Sequence, residues 1–120
     1  MTVTSISAIT LSVTNMTRSV DFYRSTIGLN LLYGGTTDSF TSFQIGNGFL
    51  NLISNLNTEI YWWGRVILHV KQVDKLYNKI LVSGWPIEDP PRDAPWGERY
   101  FHVTDPDGHE LSFATPTLKP

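Results

Sequence analysis

The chain contains no cysteine. Disulfide staples, thiolate metal sites and a cysteine nucleophile are therefore excluded. Positive charge is not in excess either: nine Lys and Arg stand against eleven Asp and Glu, a net charge of −2. A nucleic-acid binder needs a basic stripe to neutralise phosphates, and the cations here are scattered, so no nucleic-acid partner is expected. No apolar run approaches the roughly 18 residues of a membrane span, which removes the membrane as a partner. The start, Met1-Thr2-Val3-Thr4-Ser5, has neither the basic opening nor the apolar stretch of a signal peptide, and a cytoplasmic location is expected. The motifs of a nucleophile elbow, a phosphate loop and a His-Glu-x-x-His zinc helix are missing too.

What is present is the composition of a folded chain. Of 120 residues, 41% are apolar and 17% charged. That length suits one domain, 1–120, or two very small halves. Halves of about 60 residues bury too little surface to be comfortable alone, so they are expected to pack on each other or on a second chain.

Two helix signals punctuate the sequence. In the first, Asn15 or Thr17 can cap the N-terminus, Val20, Tyr23 and Ile27 follow at helical spacing, and Gly28 is placed to stop the helix. In the second, Val73, Leu76, Tyr77, Ile80 and Leu81 fit the helical template, and Gly84 ends it. A strand-like alternation precedes each helix, at 9–13 and 66–70. Three strand-like runs follow each one: 29–33, 39–45 and 49–54 in the first half, and a short segment at Pro86–Glu88, 99–104 and 110–114 in the second. Gly46-Asn47-Gly48 suits a tight hairpin, and Asp105-Pro106-Asp107-Gly108 a turn with Pro and Gly at their favoured positions. Pro90, Pro91 and Pro95 keep 89–97 from being a regular strand interior. The order β-α-β-β-β thus occurs twice, in a module at 1–58 and another at 59–120, with 55–63 as linker.

Strand side chains alternate between faces. Ile9, Leu11 and Val13 oppose Ala8, Thr10 and Ser12; Val66, Leu68 and Val70 oppose Arg65, Ile67 and His69. Phe101 and Val103 oppose Tyr100, His102 and Thr104; Leu111 and Phe113 oppose Glu110, Ser112 and Ala114. The apolar faces are expected under the helices. The mixed faces suit a cavity lining or a solvent-facing sheet side.

The residues from Val13 to Leu29, with Asp21-Phe22-Tyr23-Arg24 and Gly28-Leu29, and those from Pro95 to Leu111, with Pro95-Trp96-Gly97-Glu98-Arg99 and Asp105-Pro106-Asp107-Gly108-His109-Glu110, resemble the opening strand–helix and the closing hairpin of the vicinal oxygen chelate superfamily. The resemblance is less specific about activity, because that superfamily includes glyoxalase I, ring-cleaving dioxygenases, epimerases, fosfomycin-modifying enzymes and antibiotic-sequestering proteins. The resemblance implies an α+β fold in which two βαβββ modules form a curved mixed sheet around a concave cavity. It also implies a homodimer.

In catalytic members of that superfamily, His, Gln or Glu ligands hold a metal at four points. Here those points fall near Ala8, Asn51, Arg65 and Ser112. None is a good ligand for a divalent metal: Ala8 has no donor, Arg65 only N–H groups, and Asn51 and Ser112 only neutral oxygens. No metal or other cofactor is therefore expected. A displaced set of His69, His102 and Glu110 would have the chemistry of a non-haem iron site if the three converged. His109 is expected to be a plain turn residue. Arg65, facing a cavity, calls for a partner, either Glu110 or an anionic ligand group.

The four tryptophans lie at the linker (Trp62, Trp63), after the second helix (Trp85) and in the proline-rich loop (Trp96). Trp96 is the favoured ligand contact, since its loop resembles the wall of the drug groove in bleomycin-resistance-like proteins. Trp85 is expected to pack under the helix or in a dimer interface. Phe40 is a weaker contact candidate.

The expected function is metal-independent binding of a small aromatic or anionic molecule, as in drug sequestration and antibiotic resistance. The site would be lined by Asn51, Arg65, His69, Trp96, Tyr100, His102, Glu110 and Ser112. The alternative is a metal-dependent lyase, isomerase or dioxygenase of the same superfamily with displaced ligands. A metal-free enzyme using His69 or His102 as base and Arg65 as oxyanion partner shares the same residues.

Overall fold

A computed structural model describes residues 2–117. It divides the chain into two compact units, one ending at Glu59 and the other beginning at Ile60.

The first unit opens with β1 (Ala8–Val13) and α1 (Met16–Asp21). The Asn15 side chain caps α1 by accepting the Arg18 N–H at 3.0 Å, as its position before the apolar spacing predicts. The helix does not run on as a plain α-helix. From Phe22 to Ile27 it widens into a π-helical segment. The widening accompanies the burial of two consecutive aromatic residues, Phe22 and Tyr23, which regular helical spacing would send in different directions. Gly28 stops it with φ of 96°, where a Cβ would be strained.

Strands β2 (Asn30–Tyr33), β3 (Phe40–Ile45) and β4 (Gly48–Ser54) complete a sheet of order β1-β4-β3-β2, with β1 parallel to β4. The parallel pair requires the crossover that α1 supplies. Leu11, Val13, Leu50, Leu52, Phe43 and Tyr23 are buried, so the apolar face of β1 lies where its alternation places it.

The second unit repeats the plan: β5 (Arg65–His69), α2 (Val73–Ser83), β6 (Arg92–Ala94), β7 (Glu98–Thr104) and β8 (Glu110–Pro116), in the order β5-β8-β7-β6 with β5 parallel to β8. Val73 and Ile80 of α2 are buried, and Tyr77 meets Phe101 edge-on at 5.5 Å. The start of α2 is tied to the sheet twice. The Thr115 hydroxyl accepts the Val73 N–H, and the Arg99 guanidinium grips the Asp74 carboxylate through two bonds of 2.8 and 2.9 Å. Two α+β units of the form βαβββ are thus present. Among the described residues no helix is long and apolar enough to cross a membrane.

Two expectations are corrected. The short strand before β7 is not at Pro86–Glu88; it lies at Arg92–Ala94, inside the segment whose prolines argued against a strand. It survives because it sits between Pro91 and Pro95 and pairs on one side only, with Glu98–Tyr100. His109 is not a plain turn residue. It is only 4% exposed, its N–H is accepted by Asp105 Oδ1 at 2.8 Å, and its Nδ1 accepts the Trp63 indole N–H at 3.0 Å.

Candidate functional site

The register of the second sheet gathers the mixed strand faces. Arg65 lies opposite Glu110, Ile67 opposite Ser112 and His69 opposite Ala114; across the other edge of β8, Thr104 lies opposite Glu110 and His102 opposite Ser112. Period-two alternation puts all of them, with Tyr100 and Glu98, on one face. The face is not uniformly open. Ser112 and Ala114 are 4% and 1% exposed, because small residues on the central strand lie beneath longer neighbours. Ser112 is thus a floor residue rather than an accessible ligand contact.

Two charge clusters occupy this face. In the first, both oxygens of Glu110 are taken: Oε2 by the Trp62 indole N–H at 2.6 Å and Oε1 by Arg65 at 2.8 Å. The Arg65 guanidinium also lies 5.9 Å from the Trp62 ring centroid, within cation–π range. The Trp62 hydrogen bond first, and the Arg65 charge with it, hold the Glu110 carboxyl below the usual carboxylate range. Arg65 is therefore neutralised within the protein.

In the second cluster Glu98 accepts from Trp96 at 2.9 Å and meets His69 Nε2 at 2.7 Å. The His69 contact first and the Trp96 contact next hold Glu98 below the usual range. Trp96 stacks on Tyr100 with centroids 6.0 Å apart.

Between β7 and the loop that precedes β6 lies a cavity of about 380 Å³. Tyr100, His102, Thr104 and Glu110 line it from β7 and β8, Arg92 from the start of β6, and Trp85, Glu88 and Asp89 from the loop. Arg92 donates to the Tyr100 hydroxyl at 2.9 Å, which raises the Arg92 pKa further above its ordinary value. His102 Nδ1 is buried with no hydrogen-bond partner among the described residues. Burial first, and the positive Arg65 next, lower the His102 pKa, so the ring is neutral at pH 7. A proton on Nε2 leaves only a lone pair in the buried position, which is cheaper than an N–H without an acceptor.

Of the eight residues expected from the sequence, Tyr100, His102 and Glu110 line the cavity, and Arg65 is tied to it through Glu110. His69 and Trp96 join the Glu98 cluster instead. Asn51 belongs to the first unit, where its amide donates to the Thr10 hydroxyl. The cavity wall also holds residues the sequence did not single out. Trp85, expected under a helix or in an interface, lines the cavity and donates its indole N–H to Thr104 O at 2.9 Å. Arg92 carries no local signal, because its role depends on the hairpin that brings it beside Tyr100.

The donor set does not fit the metal that the resemblance brings to mind. Arg65 is a cation in an ion pair, and His69 is turned to Glu98 rather than toward His102 and Glu110. Among the described residues no three His, Asp or Glu side chains are grouped to hold a metal ion. The displaced set of His69, His102 and Glu110 is thereby corrected: the three do not converge.

The βαβββ unit, present twice, and the mixed sheet face define the class of protein, and sequence comparison then gives the family. The description "Glyoxalase/Bleomycin resistance protein/Dioxygenase superfamily" matches residues 5–113, and the chain belongs to that superfamily. It is 28% identical to the metallothiol transferase FosB of Lysinibacillus sphaericus (strain C3-41), over 99% of this chain and 87% of that protein. Among solved structures it is similar to TioX from Micromonospora sp. ML1, with a TM-score of 0.74, 26% identity and coverage of 94% of this chain and 99% of that one. It shares its fold with the fosfomycin resistance protein FosX from Listeria monocytogenes, with a TM-score of 0.78, 18% identity and coverage of 97% and 96%.

Proposed function

We propose that this protein binds a small planar molecule in the second unit's cavity without a metal, as a sequestering member of its superfamily. The observation that carries the reading is the closure of Glu110 by Trp62 and Arg65 beside a cavity walled by Trp85, Tyr100 and His102. A side-chain ion pair occupies one of the points where catalytic relatives place a ligand, and a wall that includes aromatic side chains suits a flat ring. Of the two ligand types considered, the aromatic is favoured over the anionic. The Arg65 charge is already met by Glu110, and on the facing wall Glu88 and Asp89 outnumber Arg92.

The same reading includes a homodimer. Trp62, Trp63 and Ile67 are exposed apolar residues close together in the chain, as expected of a face that a second copy covers. A solution mass equal to one chain removes that part of the proposal.

The test is elemental analysis of the purified protein together with tryptophan-fluorescence titration against aromatic amines and glycopeptide drugs. Saturable quenching that is insensitive to chelator, in protein without stoichiometric metal, is the expected result. The likeness to a metallothiol transferase favours a second reading, thiol transfer to a small antibiotic. That reading requires a divalent metal bound one to one and activity lost on chelation, and either finding overturns the first.

A further inference from the structure

One wall of the cavity is backbone. Phe101 and Val103 line it, yet their side chains are 2% and 3% exposed and belong to the opposite, apolar face. What runs along that wall is main chain, the edge of β7 with His102 between them. That edge has no strand beside it, because β6 pairs no further than Arg92 opposite Tyr100. The residues before Arg92 are Pro91 and Pro90, which have no N–H to give, and residues 85–91 form no ladder with β7.

The direction of the backbone groups follows from the bonds at either end of the strand. Gly97 C=O accepts the Thr117 N–H, and the Asp105 N–H is accepted by His109 O, so odd-numbered residues turn their backbone toward β8. Even-numbered residues turn theirs outward. Tyr100 faces Arg92, and Thr104 C=O accepts from Trp85. His102 lies between these two. Its N–H and C=O point into the cavity, and no hydrogen bond from residues 85–91 takes them up.

We propose that this edge is a recognition site for a short, extended, cationic peptide-like ligand, in which one residue pairs with the backbone of His102 as an added strand. Trp85 at Thr104 and Arg92 at Tyr100 close the two ends, so the open run matches a ligand of two or three residues. A cavity of 380 Å³ agrees with that size, being near the lower end of the roughly 300–1,000 Å³ of ligand pockets. The charge follows from the opposite wall. Glu88 and Asp89 stand there against one cation, Arg92, which lies 3.9 Å from Asp89, so the wall keeps a net negative charge. The inference rests on the binding role proposed above and adds the chemistry that selects the ligand.

The test is a titration of the ¹⁵N-labelled chain with acetyl-Lys-Phe-Lys-amide up to about 5 mM, a range that detects millimolar affinity. The His102 and Thr104 amide resonances move, and hydrogen exchange at the His102 amide slows several-fold. The same peptide methylated on the phenylalanine amide nitrogen lacks the donor for His102 C=O and binds about tenfold more weakly. This control alters the ligand and leaves folding untouched. Equal binding of both peptides overturns the proposal, as does the absence of any shift at His102. If an aromatic amine quenches the tryptophans but the peptide leaves His102 unmoved, the edge site alone fails. If neither probe binds, both readings fall.

Discussion

Arg65 and Glu110 stand opposite one another in the β5–β8 ladder, and their side chains meet at 2.8 Å. The other Glu110 oxygen holds the Trp62 indole, so a single carboxylate fixes both a strand residue and the linker that leads into it. Glu110→Ala leaves the guanidinium unpaired and releases Trp62. Because the pair is partly exposed, the loss of stability is about 1 kcal/mol. Glu110→Gln keeps an acceptor for the indole and loses less. Urea unfolding followed by tryptophan fluorescence checks both, and iodide quenching of Trp62 rises in the alanine variant. Unchanged stability and quenching in Glu110→Ala sink the arrangement.

Acid weakens the second unit in two stages. His102 has a lowered pKa, through burial first and Arg65 next, so on acidification the unfolded chain takes up a proton before the folded one. Stability that is complete above about pH 6.5 therefore declines as pH falls below that value. The depressed carboxyls of Glu98 and Glu110 add a second decline. Their contribution is present above the unfolded value of about pH 4.3 and is lost as pH falls through the folded one. Thermal melts across pH 3 to 8 follow the two stages. His102→Asn flattens the upper stage, and Glu98→Gln flattens part of the lower. A profile in which His102→Asn keeps the upper decline counts against the buried neutral imidazole.

Gly34 and Gly46 both have positive φ, 79° and 55°, yet they will respond differently to alanine. A Cβ on Gly34 would sit 2.2 Å from the backbone oxygen of Phe40, while one on Gly46 meets nothing within 4 Å. Gly46→Ala therefore loses only the left-handed conformational term, about 1 kcal/mol. Gly34→Ala must also move backbone, and its loss is greater, about 3 kcal/mol. Melting temperatures in the reverse order contradict this.

Asp105 holds the β7–β8 turn from inside. It is buried, and its Oδ1 accepts the N–H groups of Asp107 and His109 at 3.0 and 2.8 Å. Asp105→Ala orphans the buried His109 N–H and costs about 2 kcal/mol. Trp63→Phe removes only the indole donor to His109 and costs about 1 kcal/mol. A destabilisation by Asp105→Ala no larger than that of Trp63→Phe tells against this role.

The strand faces were legible because alternation is a local property. Arg65, His102 and Glu110 share a face on period alone, and the helix stops at Gly28 and Gly84 follow from glycine's freedom at positive φ. The partners of those residues were less so. Arg65 had two candidate partners, and the register is what brings Glu110 opposite it. The position of β6 depends on the Pro95-Trp96-Gly97 turn, where Gly97 takes φ of 101°, and not on any strand preference in Arg92-Asp93-Ala94. His109 is buried because Trp63, 46 residues away, bonds to it, and no window of the sequence contains both. The Trp85 contact was hidden for the same reason: its indole meets Thr104 across the second unit.

The proline-bounded end of β6 has one more consequence. A bare strand edge is a template on which other copies of a chain can add strands and grow into fibrils. Here Pro90 and Pro91, with Glu88 and Asp89 beside them, flank the bare part of β7 with residues that cannot extend a ladder and that repel a like-charged neighbour. The bare part of the edge is short and its flank is acidic, two features that discourage edge-to-edge growth. Replacing Pro90 and Pro91 with valine would therefore be felt first as a loss of solubility on heating.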